Sequence, residues 1–144
     1  MTTSLASLPR CGALLAINLL FLMLWGFAGV GKVAQGLPPW FGDKFGQTLL
    51  ASFPGLTATF WLLTLEELLA LALASVALLR GEFLERRPAI WLALSLAWSL
   101  FVFVQLALGQ WLTADYNGAA QIFAYFSGTL IALHYVTRST AARQ

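Results

Sequence analysis

Cysteine occurs once, at Cys11, so the chain closes no disulfide within itself and holds no Cys-x-x-Cys redox pair. Histidine also occurs once, at His134, which excludes bis-histidine haem ligation and any histidine-rich metal site. A haem held by His134 and Met23 is left formally open and has nothing else in its favour. Charge is scarce: Asp, Glu, Lys and Arg make up 10% of the 144 residues, against roughly a quarter in a soluble domain. That shortage excludes a chain whose surface is mostly in water.

What fills the space is apolar. Hydrophobic residues make up 60% of the chain and the mean hydropathy is +0.80. The reading is a single membrane domain, residues 1–144, of an integral membrane protein. Four segments, about 12–33, 55–79, 89–112 and 118–136, approach or exceed the ~20 apolar residues that a helix needs to cross a bilayer. The expected fold class is all-α, a bundle of four transmembrane helices. The first apolar run is longer than the ~7–15 residues of a signal-peptide core, so it reads as a retained helix.

The punctuation between the runs agrees. Pro54-Gly55 and Pro88 open the second and third helices, Asp115-Tyr116-Asn117-Gly118 reads as a turn, and Asn117 is a candidate cap for the fourth. Trp40, Trp61, Trp91 and Trp111 fall near expected interfaces, whereas Trp25 and Trp98 lie deeper and are expected between helices. Four crossings put Arg10, Arg80, Arg86, Arg87, Arg138 and Arg143 on one side and only Lys32 and Lys44 on the other. The positive-inside rule then places both termini in the cytoplasm of an inner (plasma) membrane. In the long connection between the first two helices, Phe45, Leu49 and Phe53 recur every four residues. That spacing predicts a short amphipathic helix over 44–53 on the outer membrane surface, with a plain loop as the alternative.

Two adjacent acids, Glu66 and Glu67, stand in the middle of the second run, LLTLEELLALAL. Glu66 lies roughly 18 Å along the helix from Pro54 and 21 Å from Arg80. A charge at that depth costs about 2.5–3.5 kcal/mol even by the mildest measure. Adjacent helical residues point about 100° apart, so the two carboxyls do not converge on one spot. Three roles fit: packing glue between helices, the lining of a ligand or proton pathway, or contact with a partner subunit. Lys32, in GFAGVGKVAQG, is the obvious cation. Its expected depth is roughly 10 Å shallower than Glu66, so a direct pair needs tilt, a bridging water or a deeper start to helix two, and snorkelling to the outer head groups is the alternative. Gly26, Gly29 and Gly31 predict close helix contact beside it. The run is no phosphate loop, lacking the preceding strand and the Lys-Ser/Thr ending. Gln105 joins this neighbourhood from the third helix, making Lys32, Glu66, Glu67 and Gln105 the candidate polar core. Asn18, Ser95, Ser99, Gln121, Ser127 and Thr129 are expected to hydrogen-bond between helices. Arg80, Arg86 and Arg87 fit contact with anionic lipid, and nothing points to nucleic acid.

The layout resembles the DoxX-like membrane proteins, a group that includes MauE-like proteins. The resemblance rests on Phe27-Ala28-Gly29-Val30-Gly31-Lys32 closing the first helix and the amphipathic stretch from Phe45 to Pro54. It rests also on an acid in helix two, Glu66 or Glu67, and on Asn117-Gly118 before the last helix. It implies a small four-helix protein that serves as an accessory or assembly subunit of a redox system. It carries over a polar core for Lys32 and the glutamates, and it carries over no assignment of a catalytic role.

Three functions follow as expectations. The first is an accessory or structural subunit of a membrane-bound, quinone-linked redox or energy-transducing complex, in which other membrane subunits are the partners. Phe101, Phe103, Phe123, Tyr125 and Phe126 would then touch partner helices, pigments or quinone tails. No cofactor is bound by a recognisable motif. The alternative is a small proton-coupled transporter using the glutamate pair. A four-helix thiol–quinone enzyme is disfavoured because the lone Cys11 supplies no thiol pair.

Overall fold

The computed structural model describes residues 8–84 and 87–141; Arg86 and Arg143, used above for orientation, lie outside them. The described residues are all-helical apart from connections, with no strand. Helix α1 runs Leu8–Gln35, α2 Pro39–Phe45, α3 Leu49–Ser52, α4 Leu56–Leu79, α5 Ile90–Leu112 and α6 Tyr116–Ala141. Four of them, α1, α4, α5 and α6, are long and apolar enough to cross a membrane. Helices α1 and α6 are longer than expected at both ends, α1 starting at Leu8 and α6 at Tyr116. Helix α1 continues to Gln35, and α6 continues past Val136 to Ala141, where the Thr140 hydroxyl accepts from the Ala89 N–H at 3.4 Å.

Each long helix packs against the next in sequence, α1 on α4, α4 on α5 and α5 on α6. The register is antiparallel throughout. Asn18 of α1 meets Ala74 and Leu78 of α4, while Gly29 meets Leu68. Ser95 and Trp98 of α5 donate to the carbonyls of Ala70 and Glu66, both at 3.0 Å, one helical turn apart on each side. Helix α6 returns along α5, with Tyr125 stacked near Phe103 and Tyr116 near Trp111. The interior is built from Leu14, Phe21, Trp25, Ala70, Leu92, Leu96, Val102, Phe103 and Val136. Alanines at 70, 74 and 77 give α4 a smooth, fully buried seam that lets its neighbours close on it. The outward faces are as apolar as the interior: Leu20, Phe27, Leu65, Phe123 and Ile131 are all more than half exposed. An outside and an inside of equal polarity suit helices surrounded by lipid.

Several polar groups inside the apolar helices find partners on a neighbouring helix or on their own. Trp25 is 1% exposed and its indole N–H donates to Ser99 at 2.9 Å. With its amide oriented by the surrounding network, Asn18 donates to the Ala74 carbonyl at 3.1 Å. Ser127 and Thr129, expected to bridge helices, instead donate to Phe123 and Tyr125 on their own helix. A hydroxyl one turn from a carbonyl of its own helix can satisfy itself locally, and both residues do so, Ser127 half-buried and Thr129 buried. Gln121 stands exposed.

The connection between α1 and α4 differs from the helix expected over 44–53. Helix α2 ends at Phe45 and α3 is a single turn from Leu49, with extended Thr48 between them. The Thr48 hydroxyl donates to the Phe45 carbonyl at 2.7 Å, which closes α2 rather than extending it. Phe41 and Phe45, not Phe45, Leu49 and Phe53, form the buried pair, their ring centres 4.7 Å apart and their planes tilted by 47°, with Phe41 edge-on to Phe60 of α4. Phe53 is 79% exposed.

Candidate functional site

Within α1 the five residues Gly26–Val30 form a π-turn. Such a turn is equivalent to one residue inserted into the α ladder, which rotates everything beyond it by about 100°. Gly29 sits here against α4: a Cβ would lie 3.0 Å from the Leu68 side chain and 3.4 Å from its backbone nitrogen. A larger residue here would require the Leu68 side chain to give way, so glycine suits this close approach. Helix α1 then ends where Gly36, at φ 70°, takes a backbone conformation that few other residues adopt.

That close approach fixes the relative heights of the helix ends. From the Gly29–Leu68 contact, α1 runs about 9 Å further to Gln35, whereas α4 runs about 18 Å to Leu56. The end of α4 therefore overhangs that of α1, and the 36–55 connection fills the step. Lys32 comes nearly level with Glu67, and the two form an ion pair. The offset expected from the sequence assumed level helix ends, and that assumption fails. The Lys32 side chain is 25% exposed and that of Glu67 2%. Glu67 uses one oxygen for Lys32; its other oxygen is buried with no hydrogen-bond partner among the described residues.

Glu66 is not part of this pair. It is half-buried beside α5, where its backbone carbonyl accepts the Trp98 indole, and one carboxyl oxygen is likewise buried without a partner among the described residues. Gln105 is exposed on α5 and lines, with Lys32, a cavity of about 240 Å³. The structure thus joins Lys32 to Glu67, places Gln105 on the same cavity as Lys32, and sets Glu66 apart.

The cavity lies beneath α2, whose Trp40, Phe41 and Phe45 supply its aromatic wall. Helix α2 is fastened across the top by a cluster that the sequence reading missed. Lys44 donates to Gln110 at 2.8 Å and to Asp115 at 3.1 Å. Asp115 also caps α6, accepting the Gly118 N–H at 2.9 Å, a role expected of Asn117. Asn117 lies within the helix, whereas Asp115 occupies the position just before it, where a side-chain oxygen reaches the free N–H groups. The Gly118 N–H, and then Lys44, hold the Asp115 carboxyl below its ordinary pKa. A second cap was missed at the opposite end. Glu82, 3% exposed, accepts from the N–H groups of Trp91 at 3.0 Å and Leu92 at 2.9 Å, at the start of α5.

Of the aromatic residues considered for partner contact, Phe103 is core, while Phe101, Phe123 and Tyr125 are exposed. Phe123 and Phe126 line an apolar groove of about 650 Å³ between α5 and α6. Among the described residues no three His, Cys, Asp or Glu side chains gather as a metal site requires.

Four candidate membrane-spanning helices, two of them joined by a part-buried ion pair, point to an α-helical protein of the membrane class. No family model, no curated protein and no solved structure matches it.

Proposed function

We propose that the chain is a DoxX-like integral membrane protein of the inner (plasma) membrane, acting as an accessory subunit of a quinone-linked redox or energy-transducing complex. Its four long helices form a bundle, both termini face the cytoplasm, and α2 and α3 lie at the outer surface. Other membrane subunits are its partners. The observation that carries this reading is the Lys32–Glu67 pair, buried among apolar helices beside a cavity with an aromatic wall. A buried ion pair adds little net stability over an apolar pair of the same volume, so its presence points to use. Purification in mild detergent tests it, with mass spectrometry and an absorption spectrum of the particle. Co-migration with quinone-, haem- or pigment-bearing subunits is expected; a colourless homo-oligomer overturns the reading.

One observation favours a second reading, a proton-coupled carrier: Glu66 and Glu67 each keep a buried oxygen without a partner among the described residues. A carrier would show proton flux in liposomes that Glu67→Gln abolishes. Absence of flux in the wild-type protein removes this alternative.

A further inference from the structure

The cavity under α2 carries hydrogen-bond donors that the protein itself does not use. Lys32 has three N–H groups and gives one to Glu67. Gln105, on the cavity's lining, makes no hydrogen bond among the described residues. The cations are nevertheless balanced, Lys32 by Glu67 and Lys44 by Asp115. An incoming anion would add uncompensated charge to apolar surroundings, at a cost that a neutral acceptor avoids. The space, about 240 Å³, is smaller than the roughly 300–1,000 Å³ of sites for whole drug-sized molecules. It suits a head group. Its walls include the rings of Phe41 and Phe45, and Leu108 on the lining is 53% exposed on the outer face of α5, as Gln105 is also exposed. A tail therefore has a way out along an apolar surface.

We infer that this cavity binds a neutral amphiphile with a ring-sized, carbonyl-bearing head, which accepts from Lys32 and Gln105 beneath α2 while its hydrocarbon tail leaves along α5. Lys44, through Gln110 and Asp115, holds α2 closed over the head. The inference rests on the proposed membrane reading for where the ligand is met, and on the cavity for its chemistry.

The test uses the purified full chain in mild detergent, titrated calorimetrically with 2-decyl-1,4-benzoquinone, decanoate and n-decylbenzene. The diketone should bind at least tenfold tighter than the other two. Gln105→Leu, at an exposed position, should weaken it about fivefold, the size of one hydrogen bond near 1 kcal/mol. Lys32→Met combined with Glu67→Met should weaken it at least as much, and Gln105→Leu decides alone if that pair fails to fold. Equal binding of n-decylbenzene, tighter binding of decanoate, or unchanged affinity in Gln105→Leu overturns the inference. A chain that binds the diketone yet purifies alone sinks the accessory-subunit reading and not this one; co-purification without diketone binding does the reverse.

Discussion

Lys32 and Glu67 show how much one pair depends on both of its members. Removing Lys32 alone, as in Lys32→Met, leaves a buried carboxylate without its cation and should destabilise the protein by about 3–5 kcal/mol. Replacing both, Lys32→Met with Glu67→Met, should recover most of that loss. Thermal unfolding in detergent reads the difference; equal stability of the two variants would mean that the pair is not buried in solution. Asp115 gives a pH signature. Its folded pKa is depressed, by the Gly118 N–H first and by Lys44 second. Its contribution is therefore complete above the unfolded carboxylate value of about 3.9 and is lost as pH falls through the lower folded value. The gap in unfolding temperature between wild type and Asp115→Asn should be constant from pH 7 to about 5 and close at lower pH. A gap that widens on acidification would remove the capping role. That Lys32 and an acid in helix two are candidates for a pair could be read from the sequence, because ionised groups in apolar runs are conspicuous. Which glutamate pairs could not, since that depends on helix heights set by a glycine contact. Asp115 was legible in principle: it stands just before the last apolar run, where caps occur. Glu82 was not, because nothing local separates it from Glu85 until the loop turns back at Gly81.

Helices α1 and α2 bring the site together by irregularity. The long apolar runs announced α1, α4, α5 and α6, and their bounds lie close to the hydropathy limits except where a terminal turn makes its own hydrogen bond. A π-turn leaves no such mark, since composition alone does not distinguish an inserted residue from a regular turn. Deleting Ala28 should restore the α ladder and swing Lys32 by about 100° away from Glu67. The variant should then lose stability as Lys32→Met does. Full retention of stability would show that the π-turn is incidental to the pair. The α5–α6 turn offers a parallel case. A Cβ at Gly118 would fall 2.9 Å from both the Asp115 and the Gln110 acceptors. Gly118→Ala should push these oxygens off Lys44 and cost about 1–3 kcal/mol by overpacking, measured as a lower unfolding temperature. An unchanged value would mean that α2 is held by its aromatic residues alone.

The molecule as a whole is polarised. The start of α1, the connection after α4 and the end of α6 gather at one end, as the Asn18–Leu78 and Ala89–Thr140 contacts require. That end holds Arg10, Arg80, Arg87 and Arg138 among the described residues, while Lys32 and Lys44 belong to the other. Both lysines are engaged there, with Glu67 and Asp115, which leaves still less free positive charge on that side. By the positive-inside rule such an asymmetry favours one orientation, and the proposed one, with the arginine-bearing end in the cytoplasm, is open to a direct test. In a Cys11→Ser background, a cysteine placed at Gln47, exposed between α2 and α3, should react with a membrane-impermeant maleimide in intact cells. A cysteine at Thr137, exposed near the end of α6, should react only after lysis. The opposite pattern would put the cavity under α2 on the cytoplasmic side and reverse the route by which a lipid-soluble ligand meets it. Labelling of both positions in intact cells would mean two orientations, which the paired lysines and clustered arginines argue against.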